Sequence, residues 1–381
     1  MRILTVLESP SWVDHHIVSS LRSLGHEVTC FTYGAYIGEY YGAARAGERE
    51  QKNQALLELA TALCRGDGLD LIFCYVYDDF LLPACARQLA ALDVPMVNFN
   101  VDMINQWYRQ IRTAKYFTRI LCAQRLNMEH MQKHGARVMY FPMAARVIVE
   151  HDHPDWQPSA PVTFVGTPMP YRKLVLAWLS QQQVPLAIYG KFWLEHRQAT
   201  PDKNMGKMLD DILHYAWPRL CAEGPGALFA ALSQRLPHFS RKSERQVDAS
   251  LPDSLLHGFV PEQAMTSLFR KSAINLGFTR MSGDDPQRPG VNQIKLRDFE
   301  VPMAGGFYLV EQAPDYNELF KPGVEVETWH TPDELLDKIK YYLDHPAERA
   351  LIAEAGRKRA SAEHTWPHRF AMLFAELGLK S

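Results

Sequence analysis

Short apolar runs alternate along this chain with longer stretches whose apolar residues recur every three or four positions. The first pattern belongs to strands buried on both faces, the second to helices laid against a sheet. Residues 3–7 predict a strand, and Ile17, Val18, Leu21 and Leu24 share one helical face. Gly25 marks a helix stop, and residues 26–31 predict the next strand. The rhythm continues with a helix over 54–63, a strand over 69–75, a helix over 80–92 and a strand over 96–100. A strand over 119–122, a helix over 127–134 and a strand over 138–141 complete it. Such alternation predicts a parallel, doubly wound α/β sheet, whose ligands bind beyond the carboxyl ends of the strands. Residues 8–11, 77–79 and 100–102 occupy those ends.

Residues 151–161 hold three prolines and no periodicity, which predicts an interdomain linker. The pattern then restarts with a strand over 162–165, a turn over 166–168, a helix over 172–180 and a strand over 186–189. Residues from about 193 to 252 break the rhythm with Trp217-Pro218, Gly224-Pro225-Gly226 and a basic cluster (Arg235, His238, Arg241, Lys242, Arg245). They predict a mostly helical insertion, with the cluster read as a solvated face. Beyond it come a strand and loop over 255–261, a helix over 263–270, a strand over 273–278 and a loop feeding a helix over 290–299. A strand over 306–310 and helices over 332–343, 347–362 and 369–377 follow, the last two separated by a break at 364–367. The expected division is a first domain over 1–155, a second over 156–364 that carries the insertion, and a closing helical segment over 365–381.

Composition narrows the classes. A chain of 381 residues with 47% apolar content fills two cores, and a net charge of -2 argues against wholesale binding to a nucleic-acid backbone. No run approaches the ~20 apolar residues of a membrane span. The apolar start meets Glu8, Ser9 and Pro10 too soon for a signal peptide, so it reads as a strand. The six cysteines lack paired metal-type spacing and fit free thiols in a reducing cytosol, so a cytoplasmic protein is expected. His151-Asp152-His153 sits in the linker and Asp284-Asp285 in a Gly/Pro-rich loop. Neither reads as a metal site, and no metal is expected.

Chemistry concentrates in Gln293-Ile294-Lys295-Leu296-Arg297-Asp298-Phe299-Glu300-Val301-Pro302-Met303-Ala304-Gly305-Gly306. A helix is expected to open at Gly290, Val291 and Asn292 and to end near Glu300. There the carboxylate has two oxygens for the hydroxyls of a ribose, or is a solvated glutamate near a helix end. A helix amino terminus offers free N–H groups to an anion, with Arg288 just before it and Lys295 in its first turn. Arg172 and Lys173 follow the Gly166 turn and are candidates for the same anion, or ordinary surface cations. In the first domain, Asp14, His15 and His16 follow the first strand. A histidine poised near neutral pH suits deprotonation of a hydroxyl, and polar helix surface is the alternative. Asp102, just past a strand end, is a further catalytic candidate or a helix N-cap.

The stretch from Phe164 to Arg369 resembles the spore-maturation-protein (CgeB-like) branch of the glycosyltransferases. The resemblance rests on Phe164-Val165-Gly166-Thr167-Pro168-Met169-Pro170-Tyr171-Arg172, Ile188-Tyr189-Gly190-Lys191-Phe192-Trp193 and His257-Gly258-Phe259-Val260-Pro261. Arg297-Asp298-Phe299-Glu300, Tyr341-Tyr342-Leu343-Asp344-His345-Pro346, Ala355-Gly356-Arg357 and His364-Thr365 continue it in order. It implies a GT-B fold: two Rossmann-like domains facing across a cleft, nucleotide-sugar donor on the second, acceptor on the first, and the last helix crossing back to the first. Glu300 takes the place of the family's ribose-binding glutamate. Asn292, eight residues earlier, stands where retaining relatives carry another glutamate, which leaves the stereochemical outcome open. The loop His257, Gly258, Phe259 and Val260 takes the place that borders the nucleobase.

The expected activity is metal-independent transfer of a sugar from a nucleoside-diphosphate sugar, UDP-sugar favoured, to an acceptor hydroxyl on a glycan, protein or small molecule. A DNA base is the less favoured acceptor. The nucleotide sugar is a co-substrate, and no cofactor is expected. A nucleotide-sugar epimerase or phosphorylase on the same fold, or an inactive nucleotide-sugar-binding protein, are the alternatives.

Overall fold

The structure is a computed structural model that describes residues 1–9, 12–34, 45–101, 106–146, 157–194, 251–281 and 291–380. The described residues fall into two compact units. The described residues up to Met143 and from Trp366 onward belong to the first, and the described residues between Ala144 and Thr365 belong to the second.

The first unit is built on six parallel strands: β1 (Arg2–Leu7), β2 (Glu27–Thr32), β3 (Leu71–Tyr75), β4 (Met96–Asn100), β5 (Arg119–Cys122) and β6 (Val138–Tyr140). Their order is β2-β1-β3-β4-β5-β6. The chain leaves β1 for one edge and returns beside it on the other side as β3. The ends of β1 and β3 therefore flank the topological switch point. Central β3 is buried at all five positions, as a strand covered on both faces must be. The closing helix Trp366–Leu377 lays Trp366, Phe370 and Phe374, spaced four apart, onto this unit. Trp366 meets Phe99 edge-on at 6.0 Å, Phe370 meets Phe73 at 6.1 Å, and Phe374 meets His26 at 5.3 Å. Arg369 donates to the carbonyls of Pro142 and Met143. Pro367 falls in the first turn, where its missing N–H costs no helical bond.

The second unit also has six parallel strands: β7 (Val162–Val165), β8 (Leu186–Tyr189), β9 (Leu256–His257), β10 (Ile274–Gly277), β11 (Tyr308–Glu311) and β12 (Glu327–Trp329). Their order is β12-β11-β10-β7-β8-β9, the strand order of a dinucleotide-binding sheet, with its switch point between β7 and β10. Helices Pro170–Gln181, Glu262–Lys271, Pro332–Asp344 and Pro346–Glu363 accompany the sheet.

Two elements differ from the sequence reading. Residues 291–293 are extended: Asn292 bridges Arg280, Gln293 N–H donates to the Thr279 carbonyl and Met281 N–H to the Val291 carbonyl. The helix opens only at Arg297 and runs to Met303, so Glu300 lies in its middle and Lys295 precedes it. Asp298 sets that start by accepting the Lys295 N–H at 2.6 Å, and Gly305, at φ +77°, turns the chain out afterward. Strand β12 and the short helix Tyr316–Leu319 escape the reading because three or four residues carry no measurable period. The predicted insertion falls outside the described residues, apart from its edges.

Candidate functional site

The switch point of the second unit gathers unusual backbone and buried charge. Three loops follow β7, β8 and β9 and are stitched together through glycines. Gly166 N–H donates to the Tyr189 carbonyl at 3.0 Å, and Gly190 N–H to the Gly258 carbonyl at 3.1 Å. Gly190 has φ +145°, and a Cβ there would lie 2.2 Å from the Gly166 carbonyl oxygen, so no other residue fits. Trp193 Nε1 donates to that same oxygen at 2.7 Å.

Helix Pro170–Gln181 starts four residues after Gly166, with proline at its first position. Its opening turn buries Tyr171, Arg172 and Lys173. Arg172 is 7% exposed. One terminal nitrogen donates to the Thr167 carbonyl at 3.0 Å and to Thr167 Oγ1 at 3.3 Å, and the guanidinium lies over the Phe164 ring. Its buried Nε meets no acceptor. Among the described residues no carboxylate lies within ion-pair reach of it. Burial lowers its pKa to about 10, which leaves it cationic at neutral pH. A buried cation with open donors beside a helix amino terminus suits an anion with several oxygens.

The neighbouring loop after β10 is fixed by Glu311 at the end of β11. Glu311 accepts the N–H groups of Thr279 and Arg280 and pairs with the Arg280 side chain at 3.3 Å. Arg280 in turn lies over the Tyr171 ring, 4.1 Å from its centroid. Asn292 Nδ2 donates to the Gln312 carbonyl at 2.6 Å, and Lys295 Nζ donates to the Phe278 carbonyl at 2.5 Å. Both sequence candidates thus sit where β10 and β11 end. Asp298 is fully buried, and burial raises its pKa to about 6. It accepts the Tyr308 hydroxyl, for which Gly277 leaves room: a Cβ there would stand 2.4 Å from that oxygen. Glu300 pairs with Arg297 one turn earlier. Val291 is exposed.

At the β8–β9 side, His257 stacks on Tyr189 at 5.0 Å, and burial lowers its pKa. Phe259 stands 65% exposed with Lys191 Nζ 5.6 Å from its centroid, and the next residue, Val260, is buried. An exposed aromatic face beside buried apolar support is a platform for a flat ring.

In the first unit the segment after β1 enters a wide π-type turn, Asp14–Val18. His15 is exposed and Asp14 half-buried. His16 is buried, and its Nδ1 accepts the Trp366 indole N–H at 3.3 Å. Beyond β3, Asp78 accepts Thr113 N–H, Thr113 Oγ1 and Arg112 N–H, while Asp79 pairs with Arg109 at 3.0 Å. Sequence reasoning missed Arg280, Glu311 and Arg109; it marked 77–79 as a strand end and quoted Trp193 and Asp298 within motifs, but gave none of these residues a role. One signal was available: a carboxylate that ends or interrupts an apolar run, as Glu311 does after Tyr308-Leu309-Val310, is a buried charge in search of donors. Asp102, Arg288, Gly290, His151-Asp152-His153 and Asp284-Asp285 lie outside the described residues.

Comparison with known proteins gives a family match over part of the chain and a fold over all of it. Residues 227–375 match the family model described as glycosyl transferase-like. No curated protein sequence matches the chain. Among solved structures, sucrose-phosphate synthase from Thermosynechococcus elongatus aligns at a TM-score of 0.58 and 10% identity, over 99% of both chains. Anabaena HepE in complex with UDP aligns at 0.57 and 12% identity, over 99% of this chain and 100% of that one. A glycosyltransferase from Rickettsia africae aligns at 0.54 and 10% identity, over 98% and 97%. At such identities the likeness establishes the fold, which is GT-B with two Rossmann-like units. No described helix is long and apolar enough to cross a membrane.

Proposed function

We propose that this protein is a glycosyltransferase of the spore-maturation (CgeB-like) branch that moves a sugar from a nucleoside-diphosphate sugar to an acceptor hydroxyl. UDP-sugar is the favoured donor, because HepE, a structure of the same fold, is solved with UDP and with UDP-glucose. The observation that carries the reading is Arg172: a buried guanidinium with an unmet Nε, at the start of a helix, at the switch point of a dinucleotide-binding sheet.

In this reading Arg172, with Lys173 and Lys295, takes up the charge that grows on the departing diphosphate. Fixed cations do that work without reorganising, and the step needs no divalent ion. Glu300, mid-helix and paired with Arg297, receives the ribose hydroxyls. Phe259 and the backbone of His257 and Gly258 border the base. On the acceptor side, exposed His15 with Asp14 takes the hydroxyl proton. His16 serves instead as support, since its Nδ1 is occupied by Trp366. The acceptor is a glycan, a protein or a small molecule, met in the cytoplasm.

Thermal unfolding with UDP-, GDP-, dTDP- and CMP-sugars, with and without EDTA, tests the proposal. A UDP-sugar is expected to raise Tm by an amount that EDTA leaves unchanged and that Glu300→Ala reduces. No shift with any nucleotide sugar would overturn it.

A further inference from the structure

We infer that Trp193 is a positioning residue that orients the Gly166–Thr167 peptide, so that the Thr167 N–H becomes a fixed donor for the diphosphate beside Arg172. The inference rests on the donor reading above.

Trp193 is 4% exposed and packs edge-on against Phe164, 6.2 Å between centroids at 87°. Its indole N–H donates to the Gly166 carbonyl at 2.7 Å. A trans peptide is planar, so its N–H points opposite to its C=O. Tying the Gly166 oxygen to Trp193 therefore aims the Thr167 N–H away from the tryptophan. That amide has no hydrogen-bond partner among the described residues, and Thr167 is exposed. The carbonyl and hydroxyl of the same residue receive the Arg172 guanidinium. One exposed residue thus carries an open N–H and holds the buried cation.

The turn that delivers Trp193 is itself constrained. Gly190 admits no side chain, because of its φ of +145° and the 2.2 Å approach to the Gly166 oxygen. Phe192, two residues on, holds φ +73°, a left-handed conformation that a bulky aromatic residue rarely adopts. Backbone strain of this kind persists where the surroundings over-determine it, and it clusters at functional sites. Here it places the indole N–H on one chosen carbonyl. The effect is to fix one peptide plane before a ligand arrives, which removes an ordering cost from binding.

The test compares three probes by calorimetry: UDP, uridine and inorganic pyrophosphate. Two variants are used, Trp193→Phe and a chain with 3-benzothienylalanine at position 193, which keeps the bicyclic shape and replaces the N–H with sulfur. About tenfold weaker binding of UDP and pyrophosphate is expected, with uridine affinity and Tm held in the benzothienyl chain. Unchanged UDP affinity in that chain would overturn the inference while leaving the donor reading intact. Equal losses for UDP and uridine would reduce Trp193 to a packing residue and overturn it as well. Failure of the unaltered protein to bind UDP while it binds pyrophosphate would remove the donor reading alone. Binding of neither would remove both.

Discussion

Two arginines, one in each unit, are buried to similar depth and are held in opposite ways. Arg109 of the first unit is 2% exposed, and Arg172 of the second is 7% exposed. Arg109 donates to Asp79 at 3.0 Å and to Gln106 at 2.8 Å, and its guanidinium lies over the Tyr77 ring. Arg172 finds carbonyl and hydroxyl oxygens of one residue and a ring, and among the described residues no acid in ion-pair contact, Glu311 and Asp298 acting on it only through space. Taking a guanidinium out of water is costly in both places, and only the first is offset by a direct ion pair within the folded chain. A buried charge with its counter-charge belongs to the fold. A buried charge without an ion-pair partner is, in the proposed reading, held for an anion from outside.

The sharpest way to break this contrast is to remove each cation. Arg109→Met leaves the Asp79 carboxylate buried with its counter-ion gone. It is expected to cost about 3–5 kcal/mol in urea unfolding. A loss under about 1 kcal/mol would show that the pair does not hold its loop and would void the comparison from the first unit's side.

Arg172→Met makes the opposite forecast. It removes a desolvated charge that makes no direct ion pair, so unfolding of the free protein is expected to move by no more than about 1 kcal/mol. UDP affinity is expected to fall about 10- to 100-fold, the value of one or two charge-assisted hydrogen bonds. Strong destabilisation with unchanged UDP affinity would make Arg172 a second Arg109.

The same contrast explains what could be read from sequence. Both α/β halves were legible because buried parallel strands are short apolar runs, and eight of the twelve described strands, including Met96–Asn100 and Leu186–Tyr189, fall at the predicted bounds or within a residue of them. Arg172 and Lys173 were legible because they follow a glycine turn at a strand end, a local signal. Arg280 and Glu311 were not, because they are 31 residues apart and each is meaningful only through the other. Trp193 was hidden for the same reason: its partner is a backbone carbonyl 27 residues earlier. The helix around Glu300 was misplaced because Asn292 is committed to an antiparallel bridge with Arg280, a tertiary contact that overrides local propensity.

Asp78 offers the finest test, because in the first unit even the carboxylates are answered from within. Burial pushes its carboxyl up to about 7, against the donors from Thr113 and Arg112 that pull it down. An unfolded aspartate titrates near 4. The folded state therefore binds this proton more tightly, and the contribution of Asp78 to stability is greatest below pH ~4 and is lost as pH rises to about 7. The Thr113 hydroxyl, 2.5 Å from Oδ1, acts mainly on the charged form. Thr113→Val keeps the shape and deletes that donor. Its cost is expected to be about 1–2 kcal/mol at pH 8 and roughly half that or less at pH 5, where the carboxyl is protonated. Unfolding curves at the two pH values decide it. Equal losses would mean that Asp78 is already ionised at pH 5, so that its three hydrogen bonds outweigh its burial. The first unit would then hold its acid in the charged state by the same internal pairing that holds Arg109, and the contrast with Arg172 would widen.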